Sequence, residues 1–167
     1  MEWYIWVVWV IGIAFVLASS LVLLFGAPYL PTLSKQRSEA LDMLALKPGQ
    51  RFVDLGCGDG RLLVAAAERG LIVTGYEMNP FLFFYAWLRT RRYRRNVKVE
   101  LRNFWKADLS SADGVFVFLL DRFMTRLDKL LSKYSKDHQI KLVSHAFKIP
   151  GKRPIRTKGA LLLYIYK

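Results

Sequence analysis

A chain of 167 residues holds one domain and a small appendage. It is 53% hydrophobic and yet carries a net charge of +13, so its apolar and basic residues must be segregated. A single cysteine, Cys57, excludes an internal disulfide, and the two histidines, His138 and His145, show no metal-ligand spacing.

Residues 3–26 contain no charged side chain and are nearly all Val, Ile, Leu, Phe, Ala, Trp or Tyr. About 20 such residues in a helix cross the hydrocarbon core of a bilayer. Trp3, Tyr4, Trp6 and Trp9 at one end suit a lipid–water interface. Glu2 in place of a basic start, and the length of the run, disfavour a cleavable signal peptide. Lys35, Arg37, Lys47 and Arg51 follow the run, and the positive-inside rule then places the rest of the chain in the cytoplasm, or in the mitochondrial matrix of a eukaryote. Residues 1–26 are thus expected as a single-pass transmembrane anchor that meets membrane lipid through residues 3–26. Residues 27–50 are expected as a linker and capping helix, and 51–167 as the functional domain.

The linker reads A-P-Y-L-P-T-L-S, and its two prolines argue against a continuing helix. A helix is expected over residues 35–46, stopped by Pro48-Gly49. Tyr29, Pro31 and Thr32 either form a plain tether or fold back over the glycine-rich turn that follows.

That turn lies within F-V-D-L-G-C-G-D-G-R, residues 52–61. Phe52, Val53 and Leu55 predict a buried strand; Gly56, Gly58 and Gly60 predict a tight turn; residues 62–68 predict a helix. Glycine admits unusual dihedrals and close approach of a ligand to the backbone, and the amides opening the helix hold a polar group. The spacing is not the dinucleotide G-x-G-x-x-G, and no Gly-Lys-Ser/Thr of a P-loop follows. Asp54 and Asp59 would repel a pyrophosphate but suit a ligand with ammonium and sulfonium charges, those of S-adenosylmethionine. Cys57 reads as a small packing residue rather than a reactive thiol. A second strand over residues 71–76 ends at Glu77, placed to accept hydrogen bonds from ribose hydroxyls.

Asn79-Pro80 opens a helix expected to run to about Arg95, with Phe81, Phe83, Phe84, Tyr85 and Trp87 as core packing. Arg89, Arg91, Arg92, Arg94, Arg95 and Lys98 then form a basic cluster. Anionic lipid headgroups are a natural partner beside an anchor; an acidic protein and nucleic acid are the other readings. A third strand spans residues 97–101 and leads to Asn103, Phe104 and Trp105. The apolar residues 115–120 predict a central strand, whose carboxyl end delivers Asp121, Arg122 and Phe123 to the ligand side of the sheet. A helix over 123–132, a strand over 139–147, a basic loop or hairpin over 150–158 and a last strand over 160–166 complete the chain.

At V-D-L-G-C-G-D-G and Y-E the chain resembles class I S-adenosylmethionine-dependent methyltransferases. More narrowly it resembles the membrane-anchored protein-lysine methyltransferases that modify the ATP synthase c-subunit and the adenine nucleotide translocase. That likeness rests on the apolar start, P-Y-L-P-T with Lys35-Gln36, D-G-R, G-Y-E-M-N-P at 75–80 and N-F-W-K at 103–106. The resemblance implies an α/β, Rossmann-like methyltransferase sheet with helices on both faces, preceded by one transmembrane helix. It implies S-adenosyl-L-methionine as cofactor, held by Thr32, Asp54, Gly56, Cys57, Gly58, Asp59, Gly60, Glu77 and Met78. Asn103 would meet the adenine amino group, and Phe104 or Trp105 would cover the ring. Such relatives often carry Asp at the position of Asn103 and proline in the loop of Asp121. No Asn/Asp-Pro-Pro-Tyr is present, which counts against nucleobase methylation and leaves nucleic acid a poor partner. Asp121 is the catalytic candidate, orienting a lysine amine of a membrane or membrane-adjacent protein. The alternatives are a methyltransferase for a lipid or lipophilic small molecule, and a non-catalytic cofactor-binding assembly factor.

Overall fold

The computed structural model describes residues 2–25, 34–136 and 138–167, with side chains left out for 18–25, 34 and 35. Thr32, Tyr29 and Pro31 lie outside the described residues. Apolar residues fill the first helix, α1 (Trp3–Phe25), on every side, and the side chains described there are exposed. Helix α2 (Ser34–Leu44) follows, then β1 (Arg51–Leu55), α3 (Arg61–Glu68) and β2 (Ile72–Glu77). Next come α4 (Pro80–Thr90), β3 (Val97–Leu101), β4 (Gly114–Phe118), α5 (Met124–Tyr134), β5 (Ile140–His145), β6 (Arg156–Lys158) and β7 (Leu161–Tyr166).

The strands form one sheet in the order β3-β2-β1-β4-β5-β7-β6. The first five are parallel, and β7 enters antiparallel between β5 and β6. Alternation along the strands divides the core in two. Phe52, Val73, Phe116 and Val143 pack with Leu44, Leu63 and Ala66 of α2 and α3; Leu55, Val117 and Leu142 pack with Leu127 and Leu131 of α5. Helices therefore cover both faces, the Rossmann-like arrangement expected. The chain runs outward from β1 to β3 and then returns to place β4 on the other side of β1. Such a reversal opens a crevice at the carboxyl ends of β1 and β4.

Two expectations are corrected here. Helix α4 stops at Thr90 and passes into a 3-10 turn at Arg91–Tyr93 rather than continuing to Arg95. Four of its five aromatics are not core: Phe81, Phe84, Tyr85 and Trp87 are 41%, 59%, 54% and 49% exposed, while Phe83 is partly buried. The phase is set by the start of the helix. Asn79 accepts hydrogen bonds from the Phe81 and Leu82 amides, Pro80 occupies the first turn, and the small residues Ala86 and Thr90 face inward. A Cβ on Gly60 would lie 3.0 Å from Ala86, so close packing of α4 on the turn requires small residues on that face and turns the large ones outward.

The transmembrane reading of residues 1–26 is not carried by the fold. Among the described residues no helix is long and apolar enough to cross a membrane, and in α1 the described side chains end at Leu17.

Candidate active site

Gly56, Cys57 and Gly58 leave β1 and are pinned at once to the end of β2. The Gly56 and Cys57 amides donate to the Tyr76 carbonyl at 3.0 and 2.9 Å, and the Gly58 amide donates to Glu77 Oε2 at 2.9 Å. Glu77 Oε1 accepts from the Met78 and Asn79 amides, each at 2.8 Å. One buried carboxylate thus fixes the glycine turn, its own strand end and the approach to α4. Its oxygens retain acceptor capacity for hydroxyls, because a carboxylate offers about four lone-pair sites.

The turn requires its glycines. Gly56 and Gly58 have φ of 106° and 55°, and a Cβ at Gly56 would meet nothing within 4 Å. That backbone faces open space, as a ligand cradle must. Cys57 is the packing residue expected: a Cβ on Gly75 of β2 would come within 2.9 Å of its Sγ and 2.6 Å of Leu63 Cδ1. Burial, with Asp54 and Glu77 adding, pushes its thiol pKa well up, so it is no nucleophile at neutral pH.

The two acids flanking the turn differ. Asp59 Oδ2 is held by Arg61 Nε at 2.7 Å and by Arg89 Nη1 at 2.8 Å, tying the turn to α3 and α4. Asp54 is buried in β1, and burial first, then the nearby Glu77, raises its pKa to about 8. At neutral pH its protonated form therefore predominates.

Beyond β3, Asn103 Oδ1 accepts from the Trp105 amide at 3.1 Å and opens the 3-10 turn Phe104–Lys106. The rings of Phe104 and Trp105 lie 4.7 Å apart, Phe123 approaches Trp105 at 6.1 Å, and Arg126 of α5 stacks over Trp105 at 4.3 Å. The topology therefore brings Asp54, residues 56–60, Glu77, Met78 and residues 103–105 to the carboxyl ends of β1, β2 and β3. Asp121 opens a 3-10 turn after β4, at the same end of the sheet, and is exposed.

One residue at this end was read from sequence only as an unsuitable metal ligand. His145 closes β5 in register with Phe118 of β4, and their rings meet edge to face at 4.8 Å. Both ring nitrogens are shielded from solvent and have no hydrogen-bond partner among the described residues, and burial lowers the pKa. It is a neutral imidazole at the strand ends where open α/β sheets take ligands. The available signal was its place as a polar residue near the end of a predicted strand.

Comparison with known proteins places the chain in a family and a fold. Residues 54–156 match the family model of the ANTKMT methyltransferase domain. The human ATP synthase c-subunit lysine N-methyltransferase is 32% identical over 136 residues, covering 79% of this chain and 57% of that protein. The mouse adenine nucleotide translocase lysine N-methyltransferase is 34% identical over 136 residues, covering 79% and 58%. A protein-lysine N-methyltransferase of Saccharolobus islandicus (strain REY15A) is 30% identical over 131 residues, covering 76% and 81%. The chain spans a little over half the length of the animal relatives named here. In fold, a Salinibacter ruber RNA methyltransferase solved with S-adenosyl-L-homocysteine superposes with a TM-score of 0.72 at 24% identity, covering 82% of this chain and 92% of that one. By its match from the first acid of the glycine turn to β6, the chain belongs to the ANTKMT methyltransferase domain family.

Proposed function

We propose that the chain is an S-adenosylmethionine-dependent protein-lysine N-methyltransferase acting on a protein in or beside a membrane. The observation that carries this reading is the carboxylate of Glu77, fixed by the Gly58, Met78 and Asn79 amides beside a glycine turn whose backbone faces open space. The residues fit the cofactor: Glu77 for the ribose hydroxyls, Asp54 for the positive charge, and Asn103 with Phe104 and Trp105 for the adenine. Met78 and the backbone of residues 56–60 line the same approach. When bound, the cofactor supplies a methyl group, whose bond to sulfur breaks as the lysine nitrogen takes it. This chain's own residues align the acceptor and exclude water, and alignment supplies most of the acceleration. Asp121 orients the incoming ammonium, and the acceptor must lose its proton before transfer. A protein lysine is the favoured acceptor because the matched relatives named above are all protein-lysine N-methyltransferases.

The membrane part of the proposal rests on the uncharged run of residues 3–26, read as the anchor, with the domain of residues 51–167 on the cytoplasmic or matrix side. Arg91, Arg94 and Arg95 are then the arginines of the cluster that meet anionic headgroups. Arg89 and Arg92 are already paired with Asp59 and Glu68.

The test is incubation of the full chain with methyl-labelled S-adenosylmethionine and membranes. Label in protein lysine is expected. Label in the lipid extract would replace the acceptor by a lipid, and no transfer to either, with cofactor binding retained, would make the chain a non-catalytic binding factor. Glu77→Gln should weaken cofactor binding by about ten-fold, the loss of one charged hydrogen bond to ribose; unchanged affinity removes the ribose assignment.

A further inference from the structure

A helix that begins as α4 does, with five aromatics in seven residues, ordinarily turns them inward. Here the inward face is Ala86 and Thr90, and Phe84, Tyr85, Trp87 and Leu88 stand about half exposed. At spacings of three and four, Phe81, Phe84 and Leu88 share one outward stripe of α4, and the exposed Arg91, Arg94 and Arg95 follow directly in the 3-10 turn and the turn after it. Beyond them Leu88, Arg89, Arg91, Arg92 and Arg94 line an open hollow. An aromatic stripe ending in arginines is the composition of a helix lying at a lipid–water boundary.

We infer that this face of α4 docks on an anionic bilayer and sets the orientation of the catalytic crevice toward it. Two observations choose the occupant. Phe15, midway along the uncharged α1, meets Phe81 edge to face at 5.5 Å, so the apolar surface of α1 continues onto α4. Arg91, Arg94 and Arg95 have no carboxylate partner among the described residues, and phosphate headgroups supply the missing charge. A second copy placed face to face would oppose the same arginines across a two-fold axis. The functional consequence follows from chain order. Helix α4 begins three residues after Glu77, so a membrane-bound α4 holds the β2 end of the crevice at the bilayer surface. The acceptor is then a lysine close to headgroup depth. The contact at the middle of α1 also favours an α1 lying obliquely beside the domain over one that stands ahead of it as a stalk.

This inference rests on the reading of α1 as lipid-embedded, and the test separates the two. Full-length Phe84→Cys and, separately, Trp9→Cys carry an environment-sensitive fluorophore; Cys57 is buried and stays unlabelled. The vesicles are equimolar phosphatidylcholine and phosphatidylglycerol with acyl-chain quenchers. Both labels should shift to the blue and be quenched, and Arg91→Glu with Arg95→Glu should abolish quenching at residue 84 while leaving residue 9 unchanged. Quenching at residue 9 alone overturns α4 docking and leaves the anchor standing; quenching at neither overturns both. A blue shift at residue 84 that needs no vesicles and grows with protein concentration points to a second copy, and RNA-dependent shifts to nucleic acid; either overturns the proposal.

Discussion

Binding of S-adenosylmethionine at neutral pH should expel a proton from Asp54. Burial and the neighbouring Glu77 raise this carboxyl to about 8, so at pH 7 protonated Asp54 outnumbers the ionised form by about ten to one, or about 0.9 proton per site. A ligand with ammonium and sulfonium charges favours the carboxylate. Complete ionisation on binding then releases about 0.9 proton at pH 7, about 0.5 at pH 8 and about 0.1 at pH 9. Titration calorimetry in buffers of different ionisation enthalpy counts these protons. S-adenosylhomocysteine keeps the ammonium and lacks the sulfonium, so comparing the two ligands assigns the release to one charge. Asp54→Asn has no proton to lose; it should bind more weakly and with no release. A count near zero at pH 7, or the same count in Asp54→Asn, refutes the reasoning. The ligand-free protein carries the opposite signature. Because the folded pKa lies above the ordinary 3.8, the stability from the protonated form is whole below about 4 and lost as pH rises through about 8. Its urea midpoint should therefore fall from pH 5 to pH 9, and added cofactor should offset that fall.

Gly75→Ala drives a methyl into Leu63 Cδ1 at 2.6 Å and Cys57 Sγ at 2.9 Å. It should cost about 1–3 kcal/mol of stability by overpacking beneath the glycine turn, read as a lower urea midpoint; an unchanged midpoint would mean that the turn yields freely. His145→Leu removes two shielded nitrogens that have no partner among the described residues and should raise stability by about 1 kcal/mol. Burial holds the His145 pKa below the ordinary 6.5, so its contribution is present above that value and lost as pH falls; the leucine variant should lose this acid-side decline. If the imidazole faces the acceptor, the same variant loses about ten-fold in kcat/KM for the acceptor with cofactor affinity unchanged, and unchanged turnover takes His145 out of the acceptor's path.

The cofactor end of the molecule was legible because its signals are local. A strand, three alternating glycines and a helix are consecutive in the chain, and Glu77 lies at the end of the next strand, where the parallel register of β1 on β2 carries it beside the turn. The central place of β4 followed from its unbroken apolar run. What sequence did not reveal depends on contacts between distant segments. Asp59 reads as a cofactor acid, and its pairing with Arg89, 30 positions on, has no local signal. The aromatics of α4 looked like core because large apolar residues usually are, but the close approach of Ala86 to Gly60 admits only small residues inward. His145 acquires its setting from the pairing of β5 with β4, which no short stretch encodes.

These features bear on one difficulty that the proposed lysine methylation beside a membrane would meet. An anionic bilayer concentrates protons and favours the ammonium form of a nearby lysine, the form that cannot accept a methyl group. Positive charge on the enzyme acts the other way, because a cationic neighbour disfavours the ammonium. Were α4 docked as inferred, a chain with a net charge of +13 and arginines just after that helix would bring this influence to the headgroup layer. His145 adds an uncharged imidazole at the strand ends rather than a fixed cation. On this reading the basic surface does more than hold the protein to lipid: it opposes the potential that would keep the acceptor protonated. Arg91→Glu with Arg95→Glu, assayed on a soluble peptide acceptor without vesicles, should then shift the pH profile of transfer toward higher pH, an effect that a purely lipid-holding role would not produce.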